Sequence, residues 1–187
     1  MANYNRIIFV AQSGNCREPM ASGILAQCEL TEPVEILSRG IVVQFPEPLN
    51  QKAEAIMRSH GIKTEGFTSR QLEVEEVTED TLVLVMESAQ KKRLQKRFPQ
   101  LDKDHLAVLT EYVGEELETL DPYGSPLQNY GLCYESLKGT ITKLARLLNA
   151  QTQILASEKA AEEARLQTVG EKDESADNEE NGLHQLG

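Results

Sequence analysis

The chain has 187 residues, 40% of them hydrophobic, and a formal net charge of −11. That is enough for one domain with a sizeable core, and the acid surplus excludes a general nucleic-acid binder, which needs basic side chains against phosphates. Cys16, Cys28 and Cys133 form no CxxC pair and have no metal-ligand spacing, no run approaches transmembrane length, and Met1 to Arg6 lacks the apolar stretch of a signal peptide. These features describe a reduced, cytoplasmic protein with no membrane partner.

Ile7 to Val10 is an apolar run without alternation, the pattern of a strand covered on both faces. The polar turn Gln12-Ser13-Gly14-Asn15-Cys16-Arg17 follows, and then Pro19 to Cys28, which reads as a helix. Strand, tight turn with glycine and helix start together make an anion cradle: backbone N–H groups converge there and the helix dipole favours negative charge. Arg17 adds a planar, bidentate partner for an oxyanion. A surface arginine at a helix start is the alternative, but a cation is unfavourable there.

Val34 to Leu37 reads as a second strand. Asn50 is placed to cap a helix over Gln51 to His60, which Gly61 stops. Thr81 to Met86 is the third strand, and Ser88 is placed to cap a helix over Ala89 to Phe98, ahead of Pro99. Ala107 to Leu109 is the fourth. Asp121-Pro122 reads as an N-cap with proline at the first helical position, a pairing worth about 1 kcal/mol. Ser125 to Asn129 is a loop or short helical turn, and a long final helix starts near Gly131 and runs through Leu148. Strands alternating with helices imply an α/β fold with a parallel sheet. The domain is expected to span 1–149. An Ala/Glu-rich helical extension follows over 150–169, and an acidic tail, solvated and disordered, over 170–187; a docking motif is the alternative reading of that tail.

Several of these segments carry a family resemblance. Ala11 to Ala21 resembles the phosphate-binding loop of the low-molecular-weight protein tyrosine phosphatases and the related arsenate reductases. That loop reads Cys, five residues, Arg, Ser/Thr, Pro; here it is Ala11, five residues, Arg17, Glu18, Pro19. Ser38-Arg39-Gly40 resembles the family's Ser-Ala-Gly. His60-Gly61-Ile62 with Ser69-Arg70-Gln71-Leu72 resembles its HGI and SRQL segments, and Asp121-Pro122-Tyr123-Gly124 its Asp-Pro loop. The resemblance covers residues 4 to 149 and implies a four-stranded parallel sheet with helices on both faces.

It also implies a chemistry. A thiolate attacks phosphorus, loop amides and an arginine hold the oxygens, and a carboxylic acid protonates the leaving group. Arg17 matches the arginine and Asp121 the general acid. Gln12, Ser13, Gly14, Asn15, Cys16 and Arg17 match the phosphate cradle, and Tyr123 and Ser38 the cleft. No metal or cofactor is implied. The nucleophile position is Ala11, and losing a covalent nucleophile costs about 10⁴- to 10⁶-fold in turnover. Glu18 replaces the hydroxyl residue that follows the arginine, Gly14 the loop asparagine, and Phe67 a histidine of the network that braces the loop.

Three readings follow. The first is an impaired phosphatase relative that binds a phosphorylated or acidic ligand, such as a phosphotyrosine protein. The second is an active phosphatase working by an atypical route. The third is a non-catalytic scaffold whose anion site is blocked by Glu18.

Overall fold

The computed structural model describes residues 4–180, with side chains as far as residue 167. Four strands, β1 (Arg6–Ala11), β2 (Glu35–Gly40), β3 (Thr81–Val85) and β4 (Leu106–Val108), form one parallel sheet in the order β2-β1-β3-β4. Five helices accompany them: α1 (Arg17–Ala26), α2 (Gln51–Ser59), α3 (Ser88–Arg97), α4 (Leu109–Tyr112) and α5 (Leu127–Glu180). The sheet divides two cores. Ile7, Phe9, Leu82 and Leu84 face α1, α2, α4 and α5. Ile8, Val10, Val83 and Val85 face Leu94 and Phe98 of the α3 segment. Burial on both sides is why these strands read as continuous apolar runs.

The four expected strands and the helices expected after β1, β2 and β3 and at the end of the domain are present, with shifted ends. Asn50 caps α2 as expected: its Oδ1 accepts from the Lys52 and Ala53 amides at 3.0 and 3.2 Å. Ser88 does not cap α3. It is the helix's first residue, and its amide and hydroxyl both donate to Glu118. A carboxylate brought from a distant loop thus covers that N-terminus, where negative charge is favoured. The final helix starts at Leu127, directly after Pro126, rather than near Gly131.

Tyr130, Cys133, Tyr134, Leu137, Ile141, Leu144 and Leu148 line one buried stripe of α5 at helical spacing. Gln151, Thr152 and Leu155 are still half-buried and residues 156–167 are exposed all round, while the helix runs unbroken past residue 149. The helical backbone of α5 is described as far as Glu180, and residues 181–187, the end of the expected acidic tail, lie outside the described residues. Among the described residues no helix is long and apolar enough to cross a membrane.

Candidate functional site

The loop between β1 and α1 sits at the carboxyl ends of the two central strands, where open parallel sheets place their ligand sites. Gly14 adopts φ +76°, and a Cβ there would lie 2.6 Å from the Gly40 amide nitrogen. Gly40 is equally confined: its own Cβ would stand 2.8 Å from the Ser13 carbonyl carbon. Two glycines therefore let the loop lie directly on the end of β2. The Ile41 amide donates to Ala11 O at 2.8 Å and the Val42 amide to Gln12 O at 3.2 Å, which pins it there. Ser13 Oγ donates to Asn15 Oδ1 at 2.8 Å, Asn15 Nδ2 to Glu47 at 2.9 Å, and Arg93 to the Gln12 side chain.

What fills the cradle is Glu18. Its side chain folds back from the first turn of α1, and its carboxyl oxygens accept from the Gly14 amide at 3.0 Å and the Cys16 amide at 3.2 Å. Glu18 is 1% exposed. Burial pushes its carboxyl above the usual carboxylate range, while the loop amides and Arg17 pull it back.

Arg17 is 2% exposed, and its guanidinium is committed to protein acceptors. It donates to Thr119 O at 2.7 Å, to Asp121 Oδ2 at 3.1 Å, and pairs with Glu87 Oε1 at 2.6 Å. A buried cation needs such partners, and here two carboxylates and a carbonyl supply them. Asp121 also accepts from the Tyr123 amide at 3.0 Å, and Ser125 N donates to Pro122 O at 3.0 Å. These bonds, with Gly124 at φ +76°, make a turn and not the helical turn that Asp-Pro suggested.

A cleft of about 340 Å³ brings together Ala11, Gln12, Ser13, Asn15, Cys16, Arg17, Asp121 and Tyr123, all expected from sequence. Gly14 shapes the loop beneath it. Ser38 is not among them. Strand alternation turns it to the same side as Ile36, and it lines a separate cavity of about 300 Å³ with Met57, Ile62 and Phe67. The cleft adds Glu47 and Asn50, and Arg17 adds Glu87 and Thr119, none of which the sequence reading placed at the site. Glu87 carried a usable signal: it is an acid just past the end of a central strand.

Neither thiol near the loop is an evident nucleophile. Cys16 is buried, and burial together with Glu18 pushes its thiol far up. Cys133 is pushed up to about 11, chiefly by burial. Ser13 Oγ is engaged with Asn15. Among the described residues no cluster of His, Cys, Asp and Glu is arranged to hold a metal ion.

The model of the low molecular weight phosphotyrosine protein phosphatases matches residues 6–154. The chain belongs to this family. A protein-arginine-phosphatase of Geobacillus stearothermophilus is 31% identical over 147 residues, 78% of this chain and 97% of that protein. The low molecular weight protein-tyrosine-phosphatase PtpB of Staphylococcus aureus is 29% identical over 143 residues, 76% and 99% of the two chains. Among solved structures, the YwlE arginine phosphatase from G. stearothermophilus superposes with a TM-score of 0.72 at 30% identity, covering 81% of this chain and 96% of that one. The four-stranded parallel sheet with flanking helices is thus this phosphatase family's fold.

Proposed function

We propose that this chain is a non-catalytic member of the low molecular weight phosphatase family, in which the Glu18 side chain occupies the place of a phosphoryl group. The observation that carries the reading is the buried Glu18 carboxyl on the Gly14 and Cys16 amides. Three further features support it. Ala11 offers a methyl group where the family's mechanism needs a thiolate. Arg17, in the position of the oxyanion-binding arginine, spends its donors on Thr119, Asp121 and Glu87. The cleft is lined by Glu18, Glu47 and Asp121 against Arg17 alone, a balance that repels an incoming phosphate. Asp121, at the general-acid position, has a structural role as Arg17's partner. On this reading the protein works by contact with other macromolecules, and a phosphorylated ligand enters the loop only when Glu18 leaves it.

Hydrolysis of para-nitrophenyl phosphate tests the proposal. The unmodified chain should show no turnover above background, and Ala11→Cys alone should gain little, because Glu18 still holds the loop amides. Ala11→Cys combined with Glu18→Ser should gain measurable activity that Asp121→Ala then lowers. Clear turnover by the unmodified chain, lost on Asp121→Ala, would overturn the reading.

A further inference from the structure

Helix α3 is a cationic island on an acidic protein. Its ten residues hold Lys91, Lys92, Arg93, Lys96 and Arg97 and no carboxylate. Leu94 anchors the inner side, while Lys92, Arg93, Lys96 and Arg97 are exposed. Among the described residues only Lys91 of this helix has a carboxylate within ion-pair range, Glu111 at 3.8 Å. Glu118 acts on Lys92 from further away. Arg93 donates to the Gln12 side chain and Arg97 to Ile41 O, and Arg97 also lies over the Phe98 ring at 4.9 Å, so neither has a carboxylate partner among these contacts. Like charges one turn apart, such as Lys92 with Lys96 and Arg93 with Arg97, oppose the helix. An anionic partner laid along this face relieves that repulsion.

The chain carries the matching charge at its other end. Residues 150–187 hold nine acids and three bases. Their helical part cannot reach α3 of the same molecule. The packed part of α5 lies on the opposite face of the sheet from α3. It starts beside the Asp121 loop, where Cys133 donates to Leu120 O, and reaches the far end of the strands. There Asn149 bonds Thr31 N and Glu29 O. From that end the helix continues for 31 more residues to Glu180, a rise of about 46 Å away from the domain. A continuous helix pointing outward does not turn back around the sheet.

We infer that two copies of this chain associate through these surfaces, the acidic distal part of α5 in each lying along the basic face of α3 in the other. The pairing is reciprocal, so it closes as a two-fold dimer and uses the same contact twice. Arg93 touches the loop's rim through Gln12, but Lys92 and Lys96, the residues reversed in the test below, are not among those lining the Glu18-filled cleft, so the contact can be tested independently of whether the loop is catalytic.

Sedimentation velocity on the full chain, across a concentration series and between about 50 and 500 mM NaCl, tests this. The wild type should dimerise at low salt and weaken at least about tenfold at high salt. Lys92→Glu/Lys96→Glu should be monomeric, and so should Glu174→Lys/Asp177→Lys. An equimolar mixture of these two variants restores opposite charges at both contacts and should regain the dimer, which also shows that both variants are folded. A wild type that is monomeric at every concentration would overturn the inference. So would association that survives either charge reversal, or compaction without concentration dependence, which would place the tail on its own molecule.

Discussion

Replacing Glu18 by serine should open the loop to an oxyanion. The Gly14 and Cys16 amides, now 3.0 and 3.2 Å from the Glu18 carboxyl, are donors a bound phosphate would use. A hydrogen bond to a charged group contributes about 1.5–3 kcal/mol net. At the lower figure, the two bonds amount to about 3 kcal/mol that the ligand no longer has to displace, or about a hundredfold in Kd. Like-charge repulsion acts in the same direction. That repulsion adds to the displaced hydrogen bonds wherever Glu18 is ionised, so a hundredfold is the conservative figure. Glu18→Gln separates the two effects, because it keeps the bulk in the cradle and removes the charge. Calorimetric titration with orthovanadate or inorganic phosphate should rank affinity as Glu18→Ser above Glu18→Gln above wild type. Thermal melting in excess anion should follow the same order, since a ligand at about a hundred times its Kd adds about 2.7 kcal/mol. Equal affinity for wild type and Glu18→Ser would refute the assignment of Glu18 as the occupant.

Three other outcomes follow from the same geometry. Burial raises the Glu18 carboxyl above its unfolded value of 4.5, so the folded chain holds that proton more tightly. The stability tied to it is full below the unfolded value and is lost as pH climbs through the raised one. Glu18→Gln lacks that loss, so its melting temperature should gain on wild type as pH rises above the unfolded value, and a constant difference would count against it. Arg17→Ala leaves Glu87, Asp121 and Thr119 O without their shared donor; a broken buried pair costs about 3–5 kcal/mol. The two carboxylates are 33% and 45% exposed and regain water, so urea unfolding should show a loss nearer 2 kcal/mol than 5, with no rescue by lysine, which lacks the fork. Gly14→Ala should cost at least about 2 kcal/mol, strain at positive φ plus contact with backbone. Gly124→Ala has the same φ in open space and should cost about 1 kcal/mol in the same assay; equal losses would mean the Gly40 contact is not tight.

What was legible in the sequence was what neighbours in the chain decide. Ile7 to Val10 and Thr81 to Met86 reveal their burial through unbroken apolar composition, and Asn50 reveals its helix because the amides it caps are two and three residues away. Gly14 could be read as a left-handed position from its place in a turn. The misses share a different cause. Ser88 looked like a cap because the acceptor that takes its amide, Glu118, arrives from thirty residues downstream. Arg17 looked like a free phosphate fork because Glu87 and Thr119 O converge on it from other crossovers of the sheet. Ser38 was placed in the cleft by resemblance, whereas its strand face sends it behind α1. Long-range acceptors leave no local pattern, so charged side chains at the carboxyl ends of strands were the hardest residues to assign.

Glu18 and Ala11 also explain each other. A loop that aims several amides at one point carries a cost when nothing accepts from them, since buried N–H groups need partners. Here Glu18 supplies the acceptor for the Gly14 and Cys16 amides, so these two donors are satisfied without a ligand. The same carboxyl makes position 11 a poor place for a reactive thiol. Glu18 and Ala11 line one cleft, and a carboxylate in the cradle raises the pKa of any thiol beside it, as it does for Cys16. A cysteine restored at position 11 would therefore be held as the unreactive thiol while Glu18 remains. Neither substitution should recover function alone, and the gain from Ala11→Cys with Glu18→Ser should exceed the sum of the two single gains, the non-additivity expected of residues that share one site.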